Sequence, residues 1–287
     1  KAMPGVKNVV RITDGVAVVA DSWWQAKQAR DALNITWDEG PGKSLSTEGV
    51  FKGLADAMSK PAASIKQQGN VAEAMKSAAK KVEATYEMPF LSHSPLEPMN
   101  FTADVRKDSA LLIGSIQFQQ LAMGMASAIT GLKPEQITIK TTFLGGGFGR
   151  RIDCDFMAQA VEISKAIGKP VKLVWTREDD LTHDFYRPAS LTQMSAGLDA
   201  SGRPTALAFK MSSPSVTARL FPPPVKDGVD PLMTEAILVP YDIPNQSVGT
   251  VIHDTGLRVG YLRSVSHALN VFANESFIDE MAVAAGK

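Results

Sequence analysis

The sequence predicts an α+β fold, and three observations carry the prediction. The chain opens on a β-β-α-β pattern over residues 6–37. From Val82 onward, strand-like runs dominate. A strand, a glycine-rich loop and a helix then follow one another over residues 136–167. At 287 residues the chain is long enough for one large domain or two modest ones. The change in pattern places the division near residue 80. Residues 1–80 form an α/β segment with a linker, and residues 81–287 a larger mixed-sheet domain.

The elements follow in order. Val6–Ile12 and Val16–Ala20 read as strands joined by a turn at Asp14-Gly15. Ser22 is suited to cap a helix whose apolar positions are Trp23, Ala26, Ala29 and Leu33. Asn34–Trp37 reads as a return strand, closed by the turn Asp38-Glu-Gly-Pro-Gly42. A second helix spans 46–59 and a third 70–79, with a polar linker, Pro61–Gly69, between them. Strands are expected at Val82–Glu87, Phe101–Val105 and Leu111–Gly114, and a helix from Phe118 to Thr130. Val171–Trp175 reads as a buried strand. Leu191–Leu198 and Pro204–Ser212 flank a hairpin turn at Asp199-Ala-Ser-Gly202. Three consecutive prolines make Phe221–Asp230 a long surface or partner-facing loop. A helix over 266–285 ends the sequence.

The glycine loop is the most informative stretch. Gly145-Gly-Gly-Phe-Gly-Arg-Arg151 follows the β-branched run Gln136-Ile-Thr-Ile-Lys-Thr-Thr142 and precedes an amphipathic helix, Asp153 to Ile167. Bare backbone between a strand and a helix lets peptide N–H groups approach an anionic or oxo-bearing ligand. Two guanidinium groups, Arg150 and Arg151, stand at its exit. Nucleotide loops do not fit. A Walker A loop needs Lys and then Ser or Thr after its last glycine, and the dinucleotide fingerprint needs glycine where Arg150 stands. By itself the stretch is equally a plain glycine connector.

Composition excludes several classes. Lys plus Arg equals Asp plus Glu, so no basic field points to nucleic acid. One cysteine, Cys154, rules out an internal disulfide and any cysteine-ligated cluster held by this chain alone. No apolar run approaches the ~20 residues that span a bilayer. The four histidines show no metal-ligand spacing and there is no G-x-S-x-G elbow. No residue set here ligates a metal directly, so metal chemistry requires a bound cofactor. With no starting Met and the opening Lys-Ala-Met-Pro-Gly-Val, the chain is expected to be a piece of a longer protein.

Four further segments are unusual for scaffold, and each has a plainer alternative. His93-Ser-Pro-Leu-Glu-Pro-Met-Asn100 sets His93 and Glu97 between prolines, or is a loop paired with itself. Gln117 stands at a strand-to-helix turn, as a ligand contact or a solvated cap. Trp175-Thr-Arg-Glu-Asp-Asp180, with Tyr186-Arg-Pro188, is a site element or a surface ion-pair cluster. Gly260-Tyr-Leu-Arg263 leads to the final helix with Glu275 and Glu280, where Arg263 either serves a ligand, caps the strand or pairs with a carboxylate.

Together these segments resemble the large, molybdopterin-binding subunit of the xanthine oxidase family of molybdenum hydroxylases. The nearest branch is that of isoquinoline 1-oxidoreductase β-subunits and membrane-associated aldehyde dehydrogenases. The residues that carry the resemblance are His93-Ser-Pro-Leu-Glu-Pro98, Gly145–Arg151, Arg177-Glu-Asp with Tyr186-Arg-Pro-Ala189, and Gly256-Leu-Arg-Val-Gly-Tyr-Leu-Arg263. Spacing agrees: Gln117 lies 30 residues before Gly147, and Arg263 lies 12 before Glu275.

The resemblance implies the end of an α/β hammerhead-like domain followed by the first part of a molybdopterin-binding domain. It implies a molybdenum–molybdopterin cofactor, in bacteria commonly the cytosine dinucleotide, with no protein atom on the metal. Gln117 would sit beside an oxo ligand. Gly146, Gly147, Phe148, Gly149 and Arg150 would line the cofactor, and Arg263 would contact it near the pterin. Glu97 and Arg187 are candidates for the substrate funnel. The implied chemistry is hydroxylation of an aldehyde or N-heterocycle with oxygen from water. Electrons would leave to an iron–sulfur small subunit, which carries the clusters, with a cytochrome c subunit as a further partner. The family's catalytic glutamate is expected beyond Lys287, so this chain alone is expected to be inactive. A location on the periplasmic side of a bacterial inner membrane is expected. The competing reading is a non-catalytic binding or assembly module that keeps the fold and uses the Pro-rich loop for partner contact.

Overall fold

The computed structural model describes residues 2–220, 222 and 224–287. A hairpin of β1 (Val6–Ile12) and β2 (Gly15–Ala20) leads into α1 (Trp23–Asp31). Then come α2 (Thr47–Ala57), β3 (Ala63–Gln68), α3 (Val71–Ser77) and β4 (Lys80–Met88). The middle of the chain holds β5 (Asn100–Val105), β6 (Ala110–Gly114), α4 (Gln119–Thr130), β7 (Ile137–Thr141) and α5 (Asp155–Ile167). β8 (Val171–Val174), α6 (Arg177–Thr182), β9 (Ser190–Leu198), β10 (Pro204–Ser213), β11 (Asn245–Ile252) and α7 (His267–Ala284) complete it. Local chemistry starts the first three helices: the side chains of Ser22, Ser46 and Asn70 accept from the N–H groups of Gln25, Gly49 and Glu73. Among the described residues no helix is long and apolar enough to cross a membrane.

The chain divides into two compact units, Lys1–Asp38 with His93–Phe185, and Glu39–Ser92 with Tyr186–Lys287. The first unit has a four-stranded sheet in the order β7-β6-β5-β8. Only β6 and β7 run parallel; the other pairs are antiparallel. α5 covers β5 and β8, and α4 packs on β7 and α5. Phe101, Leu112, Ile116, Phe156 and Met157 form the buried centre, with the rings of Phe101 and Phe156 edge-on at 6.0 Å.

The second unit has a five-stranded sheet in the order β3-β11-β10-β9-β4, in which only β10 and β11 are parallel. Its core gathers Leu198, Leu207, Phe209 and Val248 with Leu269 and Phe277 of α7. α7 is not simply amphipathic. Asn270 and Asn274 are buried and donate to the carbonyls of Met233, Glu235, Ala236 and Ile237, which ties the preceding irregular segment to the helix.

Three expectations are corrected. Asn34–Trp37 is not a strand: it has no pairing neighbour among the described residues, and Ile35 and Trp37 are exposed. A strand without a partner leaves its backbone to water. Pro61–Gly69 is not merely a linker, because 63–68 pair antiparallel with β11 as an edge strand. β8 is half-buried rather than buried, pairing only with β5 at the edge of its sheet.

The sequence pattern anticipates neither β11 nor α6. β11 holds Gly249 in mid-strand, where a Cβ would lie 2.9 Å from the Ala63 carbonyl; the glycine admits β3 rather than breaking the strand. In the 221–230 loop, Phe221 and Pro223 lie outside the described residues. Its end is buried, since Asp230 accepts from Ser215, Thr217 and Leu232. Burial pushes the Asp230 carboxyl up, but these hydrogen bonds outweigh it and leave it below the usual carboxylate range.

Candidate functional site

Parallel pairing sets the C-terminal ends of β6 and β7 side by side. The turn after β6 carries Gln117, and the segment after β7 is the glycine loop. The two meet. Gln117 Oε1 accepts from the backbone N–H groups of Gly149 at 3.1 Å and Arg151 at 3.2 Å. Because both partners are donors, the atom they meet is the amide oxygen. The Gln117 NH2 is therefore the end left over, and the residue is exposed. A Cβ on Gly147 would lie 2.5 Å from this oxygen, so glycine is required for the approach. Gly149 has φ 105°, which only glycine adopts readily. Phe148 has φ 55° and is 43% exposed, an uncommon conformation for a large side chain.

The polarity of the loop is one-sided. The carbonyl of Gly145 accepts from Glu97 N–H at 3.0 Å, that of Gly146 from Arg151 Nε at 2.8 Å, and that of Gly147 from Arg150 N–H at 2.8 Å. Among the described residues the N–H groups of Gly146, Gly147 and Phe148 have no acceptor. The site thus offers three peptide donors and one amide NH2 while the carbonyls of Gly145–Gly147 are turned to other partners, a set suited to a neutral-to-anionic oxygen-rich ligand.

Arg150 and Arg151 turn inward, and both are 0% exposed. Arg150 grips Asp155 with two bonds of 2.7 and 2.9 Å, and its Nε lies 3.0 Å from Asp184 Oδ1. The rings of Phe156, Trp175 and Phe185 surround the guanidinium at 5.4–5.9 Å. Burial disfavours the Arg150 charge, but Asp155 and Asp184 outweigh it and raise its pKa. For Arg151 burial prevails over Glu97 and lowers the pKa. The guanidiniums that stand at the loop exit in the sequence thus face the unit's own carboxylates and carbonyls, with Arg151 Nη1 buried and without a hydrogen-bond partner among the described residues. The backbone N–H groups of residues 150 and 151 are engaged as well, by the Gly147 carbonyl and Gln117 Oε1, so the free donors are those of Gly146–Phe148.

Glu97 locks the other end. Its Oε2 accepts from Gly145 N–H at 2.9 Å and Arg151 Nη2 at 2.8 Å, and its Oε1 from Asn100 at 2.9 Å. Burial raises its pKa, yet these donors overcome it and hold the carboxyl below the usual range. His93, on the same segment, is buried with its Nδ1 2.9 Å from Asp184 Oδ1 and its N–H on Oδ2. Asp184, Asp155 and Asn100 are not singled out by the sequence. Asp184 lies 34 positions from Arg150 and carries no local motif.

The run Thr176–Asp180 forms the start of α6, with reciprocal capping between Thr176 and Asp179. It is more than a surface ion cluster, because Asp180 is buried and paired with Arg177 at 2.7 Å.

In the second unit Arg187 and Arg263 come together. Arg187 Nη2 donates to the Arg263 carbonyl at 2.6 Å, while its buried Nε has no hydrogen-bond acceptor among the described residues. Burial lowers the Arg187 pKa, with no carboxylate opposing it. The Arg263 side chain is exposed and makes no hydrogen bond or ion pair among the described residues. Its expected carboxylate partners are engaged: Glu275 accepts from Tyr241 and Glu280 from Tyr86, each at 2.7 Å. Glu97, Gln117 and Gly146–Arg150 therefore share one unit, and Arg187 and Arg263 the other.

A loop of spare peptide donors beside a side-chain amide, on a mixed α/β frame, is chemically suited to anionic or oxo-bearing groups. Residues 56–287 match the molybdopterin cofactor-binding domain, and the chain belongs to that family. It is 30% identical to the isoquinoline 1-oxidoreductase β-subunit of Brevundimonas diminuta, over 98% of this chain and 38% of that protein. It is 28% identical to the membrane-bound aldehyde dehydrogenase [pyrroloquinoline-quinone] of Gluconacetobacter polyoxogenes, over 93% of this chain and 36% of that protein. Among solved structures, quinoline 2-oxidoreductase from Pseudomonas putida 86 shares the fold with a TM-score of 0.75 at 18% identity, over 99% of this chain and 42% of that one. The chain thus spans well under half the length of these relatives.

Proposed function

We propose that the chain is part of a molybdenum hydroxylase large subunit that oxidises an N-heterocycle or an aldehyde. The observation that carries the reading is the donor set of the loop, namely the uncommitted N–H groups of Gly146, Gly147 and Phe148 beside the Gln117 amide. The residues fit the group: peptide and amide donors do not titrate near neutrality and suit metal-oxo and phosphate oxygens. Gly146, Gly147 and Phe148 hold the cofactor in this proposal, with Gln117 at its oxo side, while Gly149 and Arg150 line it and use their N–H groups to shape the loop. Arg263 and Arg187 serve the pterin and the substrate path. Glu97 belongs to the loop, and a funnel role for it rests on the family resemblance. When bound, molybdopterin supplies two-electron oxidation of a substrate carbon with oxygen drawn from water. The chain's own part is to orient that group with fixed dipoles and to keep the loop's carbonyls turned away from it.

The names of the relatives, one an isoquinoline oxidoreductase and one an aldehyde dehydrogenase, support both substrate classes. The cytosine dinucleotide form, an iron–sulfur small subunit, a cytochrome c partner and a periplasmic site belong to the same proposal. So do a hammerhead-like origin for residues 1–80, ahead of a cofactor-binding domain over 81–287, and a catalytic glutamate outside these residues. The acids around the loop support the last point, because Glu97, Asp155 and Asp184 are all engaged.

The test is analysis of the full-length protein purified from molybdate-supplied cells. Molybdenum and pterin at about one per chain are expected. Pyrroloquinoline quinone in their place, or neither, refutes the proposal.

A further inference from the structure

We infer that Glu97 is the positioning residue of the glycine loop: its backbone N–H and, through Arg151, its carboxylate turn the loop's first carbonyls inward and leave the N–H groups of Gly146–Phe148 for a ligand. The inference takes the loop's purpose from the proposed function but rests for its geometry on the loop itself. Residue 97 grips peptide 145 from both sides: its carboxylate accepts the Gly145 N–H at 2.9 Å, and its own N–H donates to the Gly145 carbonyl at 3.0 Å. It also holds Arg151 from both sides. Arg151 Nη2 donates to the Glu97 carboxylate at 2.8 Å and to the Glu97 carbonyl at 2.9 Å. Arg151 in turn uses its Nε on the Gly146 carbonyl at 2.8 Å. Residue 97 therefore controls the first two carbonyls of the loop, the first through its own backbone N–H and the second through the buried guanidinium that its carboxylate holds.

The segment that presents Glu97 is stiff. Pro95 and Pro98 fix φ on either side, Ser94 adopts φ 45°, and Asn100 holds the remaining carboxylate oxygen at 2.9 Å. The fit is tight, since a Cβ on Gly145 would lie 2.4 Å from Glu97 Cβ. Glu97 is the carboxylate in ion-pair contact with Arg151. Without it, the guanidinium at 0% exposure would compete for the loop's own carbonyls or seek solvent. Either movement would release Gly146 and let the loop rotate its acceptors outward, where they repel an oxygen-rich ligand.

The readout is hydrogen exchange across 145–151 in full-length protein purified without molybdate, so that no cofactor protects the loop. In Glu97→Gln, which retains one acceptor, the bonded amides of Gly145 and Gly149–Arg151 are expected to exchange about tenfold faster. In Glu97→Ala the acceleration is larger, and α4 and β6 keep their protection in both. The double variant Glu97→Ala/Arg151→Met removes both charges, which guards against a misfolded single variant, and still shows the fast loop. In protein grown with molybdate, cofactor occupancy falls in the same order, with Gln partly rescuing Ala. An unchanged loop, or exchange raised equally throughout the unit, overturns the inference. A wild-type protein without molybdopterin would sink the proposed function and leave the exchange result standing.

Discussion

Replacing Gln117 by Glu isolates the amide NH2 as the group that matters. The substitution is isosteric. A carboxylate oxygen still accepts from Gly149 and Arg151, which now stand at 3.1 and 3.2 Å from Oε1, so the loop's anchorage is preserved. Only the outer end changes, from a two-hydrogen donor to an anionic acceptor. The residue is exposed, so little global stability is at stake. A hydrogen bond to a charged partner contributes about 1.5–3 kcal/mol. At about 1.4 kcal/mol per factor of ten, its loss lowers cofactor affinity or turnover by about 10- to 150-fold. Repulsion between the new carboxylate and an oxygen-rich ligand adds to that. The assay is molybdenum and pterin content after dialysis, together with turnover per bound molybdenum, in the full-length protein. Acidification is expected to narrow the deficit, because the introduced carboxyl group regains one donor when it is protonated. Wild-type occupancy and turnover in Gln117→Glu would refute the assignment of the NH2 as the ligand-facing end.

Three further outcomes follow from the same unit. Gly147→Ala places a Cβ where Gln117 Oε1 lies 2.5 Å away, so the amide is displaced and cofactor content drops while the thermal midpoint changes little; retention of full cofactor would contradict it. Arg150→Met strands the buried carboxylate of Asp184 and the partly buried one of Asp155, and a cost of about 3–5 kcal/mol is expected as an earlier melting transition, with Arg150→Lys intermediate. Burial, aided by Asp153 and Asp155, pushes the Cys154 thiol up to about 12. Since the thiol stays protonated until the pH rises through that value, iodoacetamide at mildly alkaline pH is expected to label Cys154 only after denaturation, and rapid labelling of native protein would show that its burial is wrong.

Local signals in the sequence predict correctly wherever the cause is local. The Asp14-Gly15 and Asp199–Gly202 turns close hairpins and Ser22 caps its helix, because a turn or a cap needs only residues close by in the chain. The glycine loop is legible for a related reason, since bare backbone between a strand and a helix leaves a compositional mark; its distance from Gln117 carries meaning only through the family resemblance. Asn34–Trp37 misleads because β-branched and aromatic content says nothing about whether a pairing strand is present.

The chain's own residues determine the hairpins, the caps, the loop and its family. Tertiary structure alone decided that 63–68 pair with β11 some 180 positions away, that Arg150 and Arg151 turn inward, and that Glu97 clamps the loop. Each of those outcomes is a competition for hydrogen bonds and charge neutralisation in a dry interior. The winner depends on which distant groups folding brings within about 3 Å, and no sequence pattern carries that distance.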